Sequence, residues 1–130
     1  MSEENAEIAR RLYRAINEGE LDIAIDLLAE DVRWSRPPDV PITGTLEGVD
    51  AIRGMWRGVT GALGAFEIEP TRVDEYGDRV LARITMRGTG MEEGASFEFS
   101  GAHVLTLRDG QIEWVQEFRS LPEAEAALGK

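Results

Sequence analysis

Ile8, Leu12 and Ile16 recur at every fourth position with Ala9 and Ala15 beside them, which is the spacing of a single buried helical stripe. A helix is predicted from Glu4 to Glu18, with Ser2 placed to cap its start and Gly19 to end it. Leu21, Ala24, Ile25 and Leu28 make a second, shorter stripe that runs out near Glu30, so the two segments form a helical hairpin. Alternation then replaces the helical period. Val32, Trp34 and Arg36 interleave with Arg33 and Ser35 in a short strand, which Pro37 and Pro38 end by removing two ladder donors. The stretch from Asp39 to Gly48 carries proline and glycine punctuation and reads as a loop. Val49, Ile52, Trp56, Val59 and Leu63 restore helical spacing, in a helix weakened by Gly54, Gly58 and Gly61.

The rest of the chain reads as strands: Phe66 to Asp74, Arg79 to Arg87, Ser96 to Leu107 and Gln111 to Phe118. They are divided by Gly77-Asp78, by the segment from Gly88 to Gly94, and by Asp109-Gly110, the strongest tight-hairpin signal of the three. The last three strands are expected to form an antiparallel meander. Ser120-Leu-Pro-Glu123 combines capping-box spacing with an early proline, so a short helix is predicted to close the chain at Ala124 to Leu128. Helices first and a curved antiparallel sheet afterwards is an α+β order, read as one domain over residues 1–130.

Composition narrows the function classes. With 25 acidic against 14 basic side chains the formal net charge is -11, which repels phosphate backbones, so nucleic acid is not expected as a partner. No basic amphipathic face and no apolar run near the ~20 residues of a membrane span is present, so no membrane association is expected. The acidic start lacks the pattern of a secretory signal, which makes a cytoplasmic location the expectation. The absence of cysteine removes disulfides, thiolate metal sites and cysteine nucleophiles, and a single histidine argues against a zinc or facial-triad iron site. Neither Gly88-Thr-Gly90 nor the surroundings of Gly44 has the spacing of a phosphate cradle. No metal and no cofactor is therefore expected, and chemistry falls to carboxylates, arginines and hydroxyls.

The runs Leu12-Tyr-Arg-Ala-Ile-Asn-Glu-Gly-Glu-Leu-Asp22, Leu28-Ala-Glu-Asp-Val-Arg-Trp34, Gly44 to Ile52 and Ala102-His-Val-Leu-Thr-Leu-Arg-Asp-Gly-Gln-Ile112 resemble the SnoaL-like branch of the nuclear transport factor 2-like (NTF2-like) superfamily. The resemblance implies a cone in which a strongly curved antiparallel sheet wraps around N-terminal helices and encloses a pocket. It also implies an outer sheet face used for homodimerisation, a use supported by apolar residues such as Val104 on one side of the strand and Leu105 and Leu107 on the other. The activities it brings are those of ketosteroid isomerases, limonene epoxide hydrolases and polyketide cyclases, alongside non-catalytic binders, and fold alone does not choose among them.

Ketosteroid isomerases need an Asp base with a Tyr and a protonated Asp as oxyanion donors. Those positions fall on Arg36, Leu12 and Ala102, and Tyr13 stands one residue away, roughly 100° around the helix, so that machinery is absent. Epoxide hydrolases use an Asp-Arg-Asp set, for which Glu117 and Arg83 are the counterparts while Thr85 holds the second carboxylate position. A polyketide cyclase asks for less: one acid/base group, for which Glu117 stands, with Arg36, Arg83 or Arg119 to stabilise an oxyanion. The family's strand parity implies that Trp34, Arg36, Arg83, Thr85, Arg87, Val115, Glu117 and Arg119 point into the cone. Trp56 near the mouth, with Ala102 and Val104, completes the expected ligand-binding set. His103 shares a face with Leu105 and Leu107, opposite Ala102, and is read as a structural or dimer-face residue.

These readings converge on a pocket for a small, apolar, carbonyl-bearing ligand. The expected activity is a cofactor-independent cyclase, isomerase or hydrolase, with a non-catalytic binding or protein-interaction domain as the alternative. Glu117 decides between them: burial raises its proton affinity and makes it an acid/base group, whereas close pairing with Arg36 or Arg119 makes it a structural ion.

Overall fold

The computed structural model describes residues 4–36, 44–90 and 96–129. Helices α1 (Glu4–Asn17) and α2 (Leu21–Asp26) lead into strands β1 (Leu28–Arg36) and β2 (Gly44–Glu47). Then follow α3 (Val49–Ala62), the long strands β3 (Leu63–Tyr76), β4 (Arg79–Gly90), β5 (Ser96–Arg108) and β6 (Gln111–Phe118), and α4 (Leu121–Ala127). The strands form one curved, unclosed sheet in the order β2-β1-β6-β5-β4-β3. Helices before a curved sheet is the α+β arrangement expected of an NTF2-like chain.

Several details differ from the sequence reading: Leu63, counted with the third helix, already begins β3, and β4 runs on through Gly88 to Gly90. Leu28 and Ala29, the expected end of the second helix, already belong to β1, where both are buried. Gly44 to Glu47, read as loop, pairs antiparallel with β1. The sheet is also not wholly antiparallel, because β1 runs parallel to β6. A parallel neighbour needs a long crossover, and the whole span from β2 to β5 supplies one. Ser2, the expected cap, and Pro37 and Pro38, the expected end of the first strand, lie outside the described residues.

The inner face of the sheet carries the main core. Leu12 and Ile16 of α1, with Ile52 and Trp56 of α3, pack in one apolar cluster with Val32, Ile68, Val80, Leu105 and Val115 from the strands. Fully burying such aliphatic side chains stabilises by about 1.5–3 kcal/mol each. Asn17 ties α1 to the sheet: its Nδ2 donates to the Ile68 carbonyl at 2.8 Å and its Oδ1 accepts from the Ile68 amide at 2.7 Å. On the outer face Leu81, Ala102 and Val104 form a second cluster, closed by Leu121, Ala124 and Leu128 of α4. The Ser120 hydroxyl caps that helix by accepting from the Glu123 amide.

Asp109 and Gly110 take φ of 53° and 80°, the left-handed pair of a two-residue hairpin turn, and Arg108 faces Gln111 across it. The ladder from that turn does not run straight. Leu107 pairs with Ile112, but Thr106 pairs with Trp114, so Glu113 is an extra residue in a β-bulge. A regular ladder would set Glu117 opposite Ala102. With the bulge it stands opposite His103.

Candidate functional site

That bulge controls what β6 presents to the interior. Ile112 before it and Val115 after it are both buried in the main core, three residues apart instead of two or four, and Glu117 follows on the same face. Glu117 Oε2 accepts from Trp34 Nε1 at 2.5 Å, and Glu117 Oε1 accepts from Arg36 Nε at 3.3 Å. Trp34 and Arg36 come from β1, the parallel neighbour of β6, whose register sets Trp34 against Val115. The Arg36 and Glu117 side chains are only 17% and 10% exposed. Water therefore screens this pair far less than it screens a surface ion pair.

Beside the carboxylate lies a buried polar pair. Tyr13 Oη and His103 Nδ1 are 2.9 Å apart, and each residue is 1% exposed. Burial, reinforced by the Glu117 charge, pushes the Tyr13 hydroxyl well above its ordinary ionisation range. Burial also lowers the His103 pKa below 6.5; the Glu117 charge opposes this and Arg36 adds to it. Both are therefore neutral near pH 7. The aromatic rings continue the wall: Trp34 meets His103 edge-on at 6.0 Å and Trp56 edge-on at 5.7 Å, and Trp56 lies 5.9 Å from Phe66. Phe66 in turn lines a cleft of about 570 Å³ at the far end of β3, β4 and β5, together with Arg87, Gly88, Thr89, Ser96, Glu67 and Glu98. The cleft does not include Glu117. The stack Phe66–Trp56–Trp34 connects the two.

Trp34, Arg36, Trp56, Val115 and Glu117 thus lie together on the inner side of the sheet. The other expected pocket residues do not. Arg83 and Thr85 alternate with the buried Ala82 and Ile84 and share the outer face with Leu81. Arg83 is exposed, and the Thr85 hydroxyl is 3.2 Å from that of Ser100. Arg87 is also on the outer face, bound by Glu67, Glu69 and Glu98. Ala102 and Val104 are fully buried on the outer side under α4, which occupies the apolar strip expected to mediate a dimer. Arg119 lies beyond the end of β6 and is exposed.

Conversely, Tyr13 and His103 belong to the inner cluster although neither was assigned a place in the pocket. The signal was available in the alternation of Val80, Ala82, Ile84 and Met86 with Arg83, Thr85 and Arg87. An apolar set of that length belongs in the core. Because Ala82 pairs with His103, the inward face of β4 carries His103 inward too. Among the described residues no group of three or more His, Cys, Asp or Glu side chains could hold a metal ion.

The arrangement has known relatives. No curated protein matches the chain. Among solved structures, an NTF2-like protein of unknown function from Burkholderia pseudomallei superposes with a TM-score of 0.80 at 25% identity, covering 95% of each chain. Bal32a, from a soil-derived mobile gene cassette, gives 0.78 at 27% identity over 89% of this chain and 88% of its own. TerC, co-crystallised with polyporic acid, gives 0.79 at 21% identity over 98% of this chain and 99% of its own, a likeness of fold. The family model of the SnoaL-like domain matches residues 9–115, from α1 into β6, and so takes in Tyr13, Trp34, Arg36 and His103. The chain belongs to the SnoaL-like domain family.

Proposed function

We propose that this protein binds a small, largely apolar, carbonyl-bearing molecule on the inner face of its sheet and acts on it without a cofactor, as a cyclase, isomerase or hydrolase. The observation that carries the reading is the polar cluster set in an otherwise apolar wall: Glu117 held by Trp34 and Arg36, with the neutral Tyr13–His103 pair beside it. Buried polar groups that serve packing alone are rare in a core of this size, and clustered ionisable groups on a concave face mark a binding or reaction site. Arg36 contacts Glu117 through Nε, so that contact does not use the terminal amino groups of its guanidinium, the natural partners for a carbonyl or enolate oxygen. TerC, which has the same fold and was co-crystallised with polyporic acid, supports the ligand class.

Binding without turnover is the second reading, and one observation favours it. Both Glu117 carboxylate oxygens already accept a hydrogen bond, one from an indole and one from a guanidinium. That is the environment of a positioned anion, not of a group ready to carry a proton. A thermal-shift screen against small lipophilic ketones, phenols and carboxylates tests the shared part, since a ligand of the folded state raises its stability. Absence of any stabilising compound would count against both readings. With a turned-over compound in hand, Glu117→Gln separates them: acid/base work by Glu117 predicts a loss of about 100-fold in turnover, and unchanged turnover removes the catalytic role.

A further inference from the structure

Three tryptophans occur in the chain, and their indole N–H groups meet different fates. Trp34 donates to Glu117 at 2.5 Å, and Trp114, on the outer face under the Arg33 guanidinium, donates to the Ser35 hydroxyl at 2.9 Å. Trp56 is 4% exposed, its Nε1 is buried, and that atom has no hydrogen-bond partner among the described residues. A buried donor left unpaired forfeits its hydration with no return, which is why such groups are scarce in native proteins and call for a physical reason. A phenylalanine would fill much the same space without that penalty.

Position supplies the reason. The Trp56 ring packs against both Trp34, whose indole N–H donates to Glu117, and Phe66, which lines the 570 Å³ cleft. That volume falls within the range that accepts a small organic molecule. From this geometry we infer that Trp56 Nε1 is the specificity-determining donor of the site: it takes an acceptor oxygen of a ring-bearing ligand whose apolar body lies against the aromatic wall. The inference rests on the inner face being a small-molecule site and adds what that site selects, namely a ketone, quinone or similar acceptor over a hydrocarbon of the same shape. Trp34 cannot take this part, because its N–H is committed to Glu117.

The test uses a matched pair of probes, acetophenone and ethylbenzene, which share a ring and differ in the oxygen. Each is titrated to millimolar concentration into the full chain while the three indole N–H resonances are followed in a proton–nitrogen correlation spectrum. Trp56→Phe, which keeps an aromatic ring, identifies the Trp56 resonance by its loss. The expected result is a downfield shift of the Trp56 indole proton with acetophenone and not with ethylbenzene. Affinity for acetophenone should also fall about tenfold in Trp56→Phe, the size of one neutral hydrogen bond, with ethylbenzene binding unchanged. If acetophenone binds while the Trp56 indole resonance stays in place, or binds equally to the variant, the donor role is wrong although the site stands. If neither compound perturbs the inner face, the small-molecule reading itself fails and this inference falls with it.

Discussion

The two faces of the sheet hold an arginine–glutamate contact each, built on opposite terms. On the outer face Arg87 gathers Glu67, Glu69 and Glu98 within 3.0 Å, with side chains between 42% and 61% exposed. On the inner face Arg36 meets Glu117 at 3.3 Å as its one ion-pair partner among the described residues, with side chains 17% and 10% exposed. The outer cluster has more partners and shorter distances, yet solvent screens it and the entropy of long side chains offsets much of its gain. The inner pair has fewer contacts, but removing one partner would strand the other in an apolar wall. Partner count is thus a poor guide to which contact matters, and burial a better one.

Breaking the register that creates the inner face should have the largest effect. Inserting one alanine between Val115 and Gln116 shifts the rest of β6 by one position, which sets Gln116 opposite His103 and turns Glu117 outward, opposite Ala102. A loss of about 4 kcal/mol or more in denaturant unfolding, or loss of the cooperative transition, is expected. A stable protein with unchanged ligand binding would show that the register of β6 does not position Glu117.

Next in size comes Gly101→Ala. A Cβ at Gly101 would stand 2.8 Å from the Phe118 carbonyl oxygen, a backbone atom with little room to yield, at the end of the strand that carries Glu117. A cost of about 1–3 kcal/mol is expected, measured by urea unfolding, with the end of β6 displaced. Tyr13→Phe is expected to cost about 1–2 kcal/mol by the same measurement, because it leaves the buried His103 nitrogen without its 2.9 Å partner.

Stability should also depend on pH through the buried pair on the inner face. Since folding lowers the His103 pKa below 6.5, the unfolded chain binds more protons in this range. The contribution is complete above 6.5 and is lost as pH falls from there toward the folded value. Urea unfolding across this window should lose stability in the wild type, and His103→Gln should flatten that segment of the curve. Tyr13 acts in the opposite direction: its raised pKa gives a contribution present below its usual 10.0 and lost as pH rises through the folded value. The smallest effect is expected from Arg87→Ala, which should leave the melting temperature nearly unchanged despite its three partners, with any residue of an effect abolished in ~0.5 M salt.

Much of the fold was legible because periodicity reports burial. The stripe through Ile8, Leu12 and Ile16, the Asp109-Gly110 turn and the Ser120 cap each follow from local physics, and each has the expected form. The parallel β1–β6 pairing was not legible, since nothing in either strand specifies its neighbour's direction. The site was harder still. A bulge has no strong sequence signature, and a count from the hairpin turn alone sets Glu117 opposite Ala102. For β4, parity carried over from the resemblance overrode the chain's own alternation, which separates Ala82 and Ile84 from Arg83 and Thr85. For Ala102 and Val104 the clue lay in α4, whose Leu121, Ala124 and Leu128 need an apolar surface to cover.

The inner face of the sheet is the side proposed to meet a ligand. Mapping backbone and indole amide shifts as a stabilising ketone or carboxylate is added tests this most directly. Perturbations are expected at Trp34, Arg36, Trp56, His103 and Glu117, with Arg83, Thr85 and Val104 unmoved. Perturbations confined to the outer-face residues, with the inner set silent, would contradict that proposal.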